Sequence, residues 1–328
     1  MIECKTKSKE YLFFARNENE NMPELTARKT AQLTGHNASV FALGQGPNAD
    51  GFFSGAGDGW IVHWALDNPE VGRLAAKVDS RIFSLLYLPE WSKVLAGNMN
   101  GGLHWIQLDE PEKTRNIAHH QKGVFDILRI GPFVYTAGGQ GLLTRWAAAE
   151  SRSLESIQLS NQSLRCLAYC PQRGELAAGA SDRAIYLLDA DSLQVRHRLA
   201  NAHDNSVFTL HYTPDGGHLL SGGRDAMLKV WSLANEPKLH SAQPAHWYTI
   251  NSIAFHPEGR WFATGSRDRT IKLWDAQTFE LLKVLDTSRD GGHINSVNRL
   301  FWHPYRNSLI SASDDRTMIV WEVEESAS

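Results

Sequence analysis

Short runs of alternating polarity, each closed by a polar turn, recur along most of the chain. In one copy Val207-Phe208-Thr209-Leu210-His211-Tyr212 is followed by Pro214-Asp215-Gly216-Gly217 and then by Leu219-Leu220-Ser221-Gly222. β-Branched and aromatic residues at alternate positions suit a pleated ribbon, and Pro, Asp and Gly supply turn torsions, so the pattern predicts strand, turn, strand. Arg224-Asp225-Ala226 reads as a second tight turn and Leu228-Lys229-Val230-Trp231 as a third strand. In the next copy Glu280 to Leu285 reads as a fourth. The phrase Ala263-Thr264-Gly265-Ser266-Arg267-Asp268-Arg269-Thr270-Ile271-Lys272-Leu273-Trp274-Asp275 returns in variants about every 42 residues, a period that marks radial repetition. Its Trp slot falls at Trp64, Ile106, Trp146, Leu188, Trp231, Trp274 and Trp321. Seven slots predict an all-β chain: a seven-bladed β-propeller of four-stranded antiparallel blades.

The last blade lacks a fourth strand of its own, because the chain after Trp321 is short and ends in the acidic Glu324-Glu325-Ser326. The missing strand is expected from Ala27 to Leu33, so that N-terminal and C-terminal segments pair in one blade and close the ring without an open edge. The propeller then occupies residues 27–325, with a tail at 326–328. Residues 1–26, where Asn17, Asn19 and Asn21 alternate with glutamates, are expected to be a disordered or dispensable extension, and Met22 offers a second start.

A composition of 42% hydrophobic residues with 11 Trp and 26 Gly supports a large core built from many short strands and argues against disorder in most of the chain. A net charge of −3 provides no electrostatic footprint for nucleic acid or an anionic membrane. No stretch approaches the roughly 20 apolar residues of a membrane helix. Lys5, Lys7 and Lys9 precede an apolar run, Tyr11 to Ala15, that is too short for a secretory signal. Cys4, Cys166 and Cys170 form neither a disulfide framework nor a CxxC zinc pattern, and the last two are expected in and just after a buried strand. A soluble, reducing, cytoplasmic setting is the expectation.

These repeats resemble the WD40 family over roughly residues 27 to 324. The resemblance implies a hydrogen-bonded tetrad of His, Ser or Thr, Asp and Trp within each blade. Complete sets occur as His36, Ser54, Asp58 and Trp64; His203, Ser221, Asp225 and Trp231; His246, Thr264, Asp268 and Trp274; and His293, Ser311, Asp315 and Trp321. The third repeat keeps His120, Thr136 and Trp146 but carries Gln140 in the Asp slot. The fourth keeps Asp182 and has Leu188 for Trp. In the second, Asn100 takes the Asp slot and Ile106 the Trp slot, with Trp105 one residue out of register.

Ser, His and Asp are also a hydrolase's residues, but a reaction needs one constellation whereas a structural device recurs in every blade. No GxxxxGK[ST], HExxH or GxSxG motif is present. Gly55-Ala56-Gly57-Asp58-Gly59 reads as a turn. Of His119-His120, the second already belongs to a tetrad, leaving one free ligand and no carboxylate cluster. The expectation is a non-enzyme without metal or cofactor.

The resemblance further implies that the top face of the propeller binds peptides, through the residue after the first apolar residue of each first strand and the residue before each turn Asp. The first set is Phe41, Phe83, Phe125, Arg165, Phe208, Asn251 and Asn298. The second is Gly57, Met99, Gly139, Ser181, Arg224, Arg267 and Asp314. Phe41, Phe83, Phe125, Phe208, Arg165, Arg224 and Arg267 are therefore the candidate partner-binding residues, forming an apolar arc and a cationic arc. They suit a peptide with an apolar anchor beside an acidic or phosphorylated group. The same Phe positions could instead pack inward as core. The leading reading is an interaction scaffold, a monomeric propeller within a complex. The alternatives are a small-ligand or catalytic propeller using polar groups in the central channel, and a subunit of an RNA-associated complex.

Overall fold

Seven four-stranded antiparallel sheets surround a central channel in the computed structural model, which describes residues 25–325. Blades one to six span residues 40–77, 82–118, 124–158, 164–199, 207–244 and 250–285. The seventh combines residues 297–325 with the strand Leu25–Leu33. The first strand of each blade is innermost and packs against the first strands of both neighbouring blades. In the closing blade, Leu25–Leu33 runs antiparallel to Met318–Glu325, from Leu25 opposite Glu325 to Leu33 opposite Met318. Leu25 and Thr26, assigned to the extension from the sequence, thus belong to the closing strand. The rest of that extension, including Met22, and the tail 326–328 lie outside the described residues.

The core lies between blades, where alternate strand positions are buried. Leu33 and Trp64 share one cluster with Ile310 and Val320, so the ring's closure is also a packing event. Polar side chains near the channel tie successive innermost strands together. Ser84 Oγ donates to the Val124 carbonyl (3.0 Å), Thr209 Oγ1 accepts from the Ile253 amide (3.0 Å), and Ser252 Oγ accepts from the Leu300 amide (3.1 Å).

All four complete tetrads form. In blade one the Trp64 indole donates to Ser54 Oγ (2.8 Å), Ser54 meets His36 Nε2 (2.8 Å), and His36 Nδ1 lies 3.1 Å from Asp58. In blade six the Asp268 carboxylate accepts from His246 Nδ1 (2.9 Å) and from the amides of Trp247 and Thr270 (both 3.0 Å). Burial opposes the charge of Asp268, but these donors win and hold its carboxyl well below the usual range. Asp268→Ala leaves those donors unpaired and is expected to cost about 1–3 kcal/mol. Calorimetry checks this, and an unchanged melting temperature contradicts it.

The diverged blades solve the same problem with other side chains. In blade two Asn100 does hold the Asp slot, as Asn98 stands opposite Ile82 where Ala56 stands opposite Val40, but the turn is capped by the side chain of Asn98 two residues earlier. Asn98 Oδ1 accepts from the amides of Asn100 (3.0 Å) and Gly102 (2.8 Å), and its Nδ2 reaches His104 (2.9 Å). Ile106 does occupy the Trp slot, opposite Val94, as Trp64 stands opposite Phe52. The displaced Trp105 is buried against Trp146, with ring centroids 6.1 Å apart. In blade four Asp182 accepts from Ser160 Oγ (2.9 Å) and the Tyr186 hydroxyl (2.6 Å), which replace the missing His.

Candidate functional site

Every innermost strand carries a β-bulge near its start, and these bulges explain how the candidate positions converge. The register shifts fall at Val40/Ala42, Ile82/Ser84, Val124/Asp126, Leu164/Cys166, Val207/Thr209, Ile250/Ser252 and Val297/Arg299. The skipped residues are Phe41, Phe83, Phe125, Arg165, Phe208, Asn251 and Asn298, the seven positions picked out in the sequence. A bulged residue leaves the ladder and its side chain is re-aimed. All seven line one cavity of about 260 Å³ at the channel mouth, with Arg299.

The phenylalanines are only partly buried and belong to none of the inter-blade core clusters. Their alternative as ordinary core is therefore overturned. Phe41 meets Phe83 edge-on at 5.4 Å, and Phe83 stacks on Phe125 at 5.4 Å, so they form a continuous aromatic wall. Arg165 lies over Phe125 at 4.2 Å and over Phe208 at 5.4 Å, and its Nε donates to Ser181 Oγ (2.9 Å). Burial lowers its pKa, and the nearby Arg224 pushes the same way. A guanidinium held between rings with its terminal nitrogens unpaired among the described residues is prepared for an anion.

Arg299 forms part of the floor. Its guanidinium approaches the buried Asp126 at 3.5 Å, linking blades seven and three. Asp126 also accepts from the amides of Leu167 (2.8 Å) and Ile127 (3.1 Å). Burial nevertheless raises its pKa, against the pull of Arg299 and those amides. A second cavity of about 270 Å³ in the channel is lined by Asp126, Arg299, Cys166 and His211 among others. Desolvation pushes the Cys166 thiol far up, reinforced by Asp126, so it stays protonated and is a poor nucleophile. His211 is lowered by burial, and its Nδ1 donates to the Tyr212 carbonyl (2.7 Å). Cys170 is the last residue of the strand Leu164–Cys170 rather than just beyond it. Among the described residues no cluster of His, Cys, Asp or Glu fits a metal ion, and His119 instead meets Thr144 at 3.0 Å.

Arg224 and Arg267 do not line that cavity but stand beside it, Arg224 close enough to bear on the charge of Arg165. In each blade the amide before the Asp slot donates to the carbonyl just ahead of the first strand, as Arg224 to Ser206 (2.9 Å) and Arg267 to Thr249 (3.0 Å). Both arginines thereby stand on the rim, exposed and without side-chain partners among the described residues. Sequence reasoning missed Arg299, which follows the bulged Asn298, and the exposed pair Trp247-Tyr248, which follows the tetrad His246. The signal for that pair was the loop position itself, where other tetrad histidines are followed by Asn37, Asp204 and Ile294.

The family model "WD domain, G-beta repeat" matches residues 27–65, 194–232, 238–275 and 280–322, the four repeats with complete tetrads. Among solved structures, the chain is similar to the WD40 β-propeller domain of Doa1 at 18% identity and a TM-score of 0.79, covering 90% of this chain and 96% of that one. No curated protein is significantly similar in sequence. No helix among the described residues is long and apolar enough to cross a membrane. With four matched repeats, four formed tetrads and seven blades closed by their termini, the chain belongs to the WD40-repeat family of β-propellers.

Proposed function

We propose that the chain is a non-catalytic interaction scaffold that takes a segment of a partner protein into the mouth at the top of the channel. The observation that carries this reading is the convergence of seven bulged residues on one cavity, four of them Phe rings kept out of the core. An apolar anchor fits against Phe41, Phe83 and Phe125, while an adjacent acidic or phosphorylated group meets Arg165 and Arg299. The cavity volume suits one or two side chains rather than a whole element. The free thiols of Cys166 and Cys170 fit a reducing, cytoplasmic setting.

The test is co-purification from native cells, with mass spectrometry, of the intact chain beside Phe83→Ala/Arg165→Gln. A partner that falls by about tenfold or more with the variant supports the mouth as its site, a loss expected for a hot-spot side chain. Retention of the same proteins by a variant with unchanged melting refutes it. Recovery of a small anion in place of any protein favours the small-ligand reading.

A further inference from the structure

Trp247 and Tyr248 are 81% and 61% exposed, whereas most of the chain's tryptophans are buried or half-buried. This exposure is imposed by the backbone. The amides of Ala245 (3.1 Å) and His246 (3.3 Å) donate to the Ala226 carbonyl in the turn of blade five. The Trp247 amide donates to Asp268 (3.0 Å), Ser266 Oγ donates to the Tyr248 carbonyl (3.1 Å), and the Arg267 amide donates to the Thr249 carbonyl, all in the turn of blade six. The aromatic pair is thus clamped between two turns, one bearing Arg224 and the other Arg267 and Arg269. All three arginines are exposed and have no side-chain hydrogen bond or ion pair among the described residues. Of the acids at these turns, Asp225 and Asp268 are held by their own His and turn amides, and the exposed Asp204 beside the Arg224 turn leaves the three arginines in excess.

The residue after the Asp slot has a left-handed conformation in every blade: Gly59, Gly101 and Gly141 in the first three, but Arg183, Ala226, Arg269 and Arg316 in the others. Glycine occupies that region without the steric cost an L side chain meets. Arg269, at φ 76°, shares this position with Arg183, Ala226 and Arg316, so the turn geometry fixes where its side chain leaves the backbone and carries no further weight.

The geometry points to a second docking surface, on the rim beside the mouth, formed by Trp247 and Tyr248 with Arg224, Arg267 and Arg269, for an acidic segment of a partner protein that carries an apolar side chain. Rigid aromatics provide contact area at low entropic cost, and unpaired arginines match carboxylates. Nucleic acid would also offer rings and negative charge. Three arginines on a chain of net charge −3 make a small patch rather than a backbone-tracking stripe, so the acidic peptide is favoured.

The test uses fluorescence anisotropy of the full chain with three labelled probes: a glutamate-rich 12-residue peptide with a central Leu-Phe, its glutamine counterpart, and a 15-nucleotide oligo-dT. The acidic peptide is expected to bind at least about tenfold more tightly than the other two. Trp247→Ala and Arg224→Glu/Arg267→Glu are each expected to weaken it about tenfold or more, at sites too exposed to threaten folding. Phe83→Ala is expected to leave it unchanged, which separates this surface from the mouth. Equal binding of the glutamine peptide, preference for oligo-dT, insensitivity to the rim variants, or no binding of the acidic peptide at millimolar concentration overturns the proposal. Loss of binding in Phe83→Ala alone assigns the peptide to the mouth and overturns it as well.

Discussion

A chain beginning at Thr34 is expected to lose the cooperative unfolding transition that a chain beginning at Leu25 retains. The difference between them is the strand Leu25–Leu33, which supplies the outer strand of the seventh blade. Its removal strips the hydrogen-bond partner from Met318–Glu325 and uncovers apolar surface next to Trp321 and Val323 on one side and Val320 and Trp64 on the other. Leu25 and Leu33 are both buried, and losing two such side chains alone costs about 4–10 kcal/mol by analogy with large-to-small core changes. That is comparable with the whole stability of an ordinary domain, roughly 5–15 kcal/mol. The exposed edge also invites pairing with other chains. Differential scanning calorimetry and light scattering provide the measurement. Equal transition temperatures for the two chains would show that the ring closes without this strand.

Acid is expected to destabilise the fold well before its carboxylates are protonated, and blade three is where the effect is largest. Burial, reinforced by neighbouring His119, pushes the His120 imidazole down from 6.5 to about 4. The unfolded chain therefore binds this proton from about pH 6.5 downward, while the folded chain does so only near pH 4. Stability falls as pH drops across that window and the contribution levels off below it. For a side chain this buried the loss is about 3 kcal/mol. His36 and His246 are also lowered by burial, but each has an aspartate that favours its protonated form. His120 has only the amide of Gln140, at 3.1 Å, which cannot balance an imidazolium charge. Gln140→Asp is expected to raise the His120 pKa and to reduce the stability lost between pH 7 and 4.5 by more than about 1 kcal/mol. Denaturant titrations at the two pH values, with NMR titration of the His120 ring, read both quantities. A ring that titrates at or above pH 6 in the unaltered protein would sink the argument.

The tetrad residues of Asp225, Asp268 and Asp315 act further down the scale. Their carboxyls lie below the usual range, Asp315 at about 2, because His and turn donors outweigh burial. Depressed carboxylates contribute stability above their unfolded pKa, near 3.9, and lose it as pH falls toward the folded value. Acid unfolding should therefore show two regions, a histidine-driven decline between pH 6.5 and 4 and a carboxylate-driven one below.

The seven blades, their strand content and the closing segment could be read from the chain because each follows from local chemistry. Alternation places one face of every strand inward, Asp and Gly mark turns, and an array of repeats without a last strand must borrow one. The seven positions that converge on the mouth were named by the family resemblance, which implies binding through the residue after the first apolar residue of each first strand, and the repeat only carried that position from blade to blade. What the sequence left open was direction and exposure. Whether Phe83 packs between blades or faces the mouth depends on a bulge that skips one residue in the pairing, and nothing in the alternation announces it. In blade two Asn100 keeps the Asp slot while Asn98 does the capping, because an amide side chain at the strand end can reach two turn N–H groups, a choice made by backbone geometry. Trp247 reads like any other tryptophan until the loop is clamped to two turns and its ring is left in solvent. Arg299 and Asp126 lie far apart in sequence and meet at 3.5 Å only after the ring has closed. Short-range periodicity thus decided the architecture, whereas ring closure, register and loop anchoring decided which side chains are free to meet a partner.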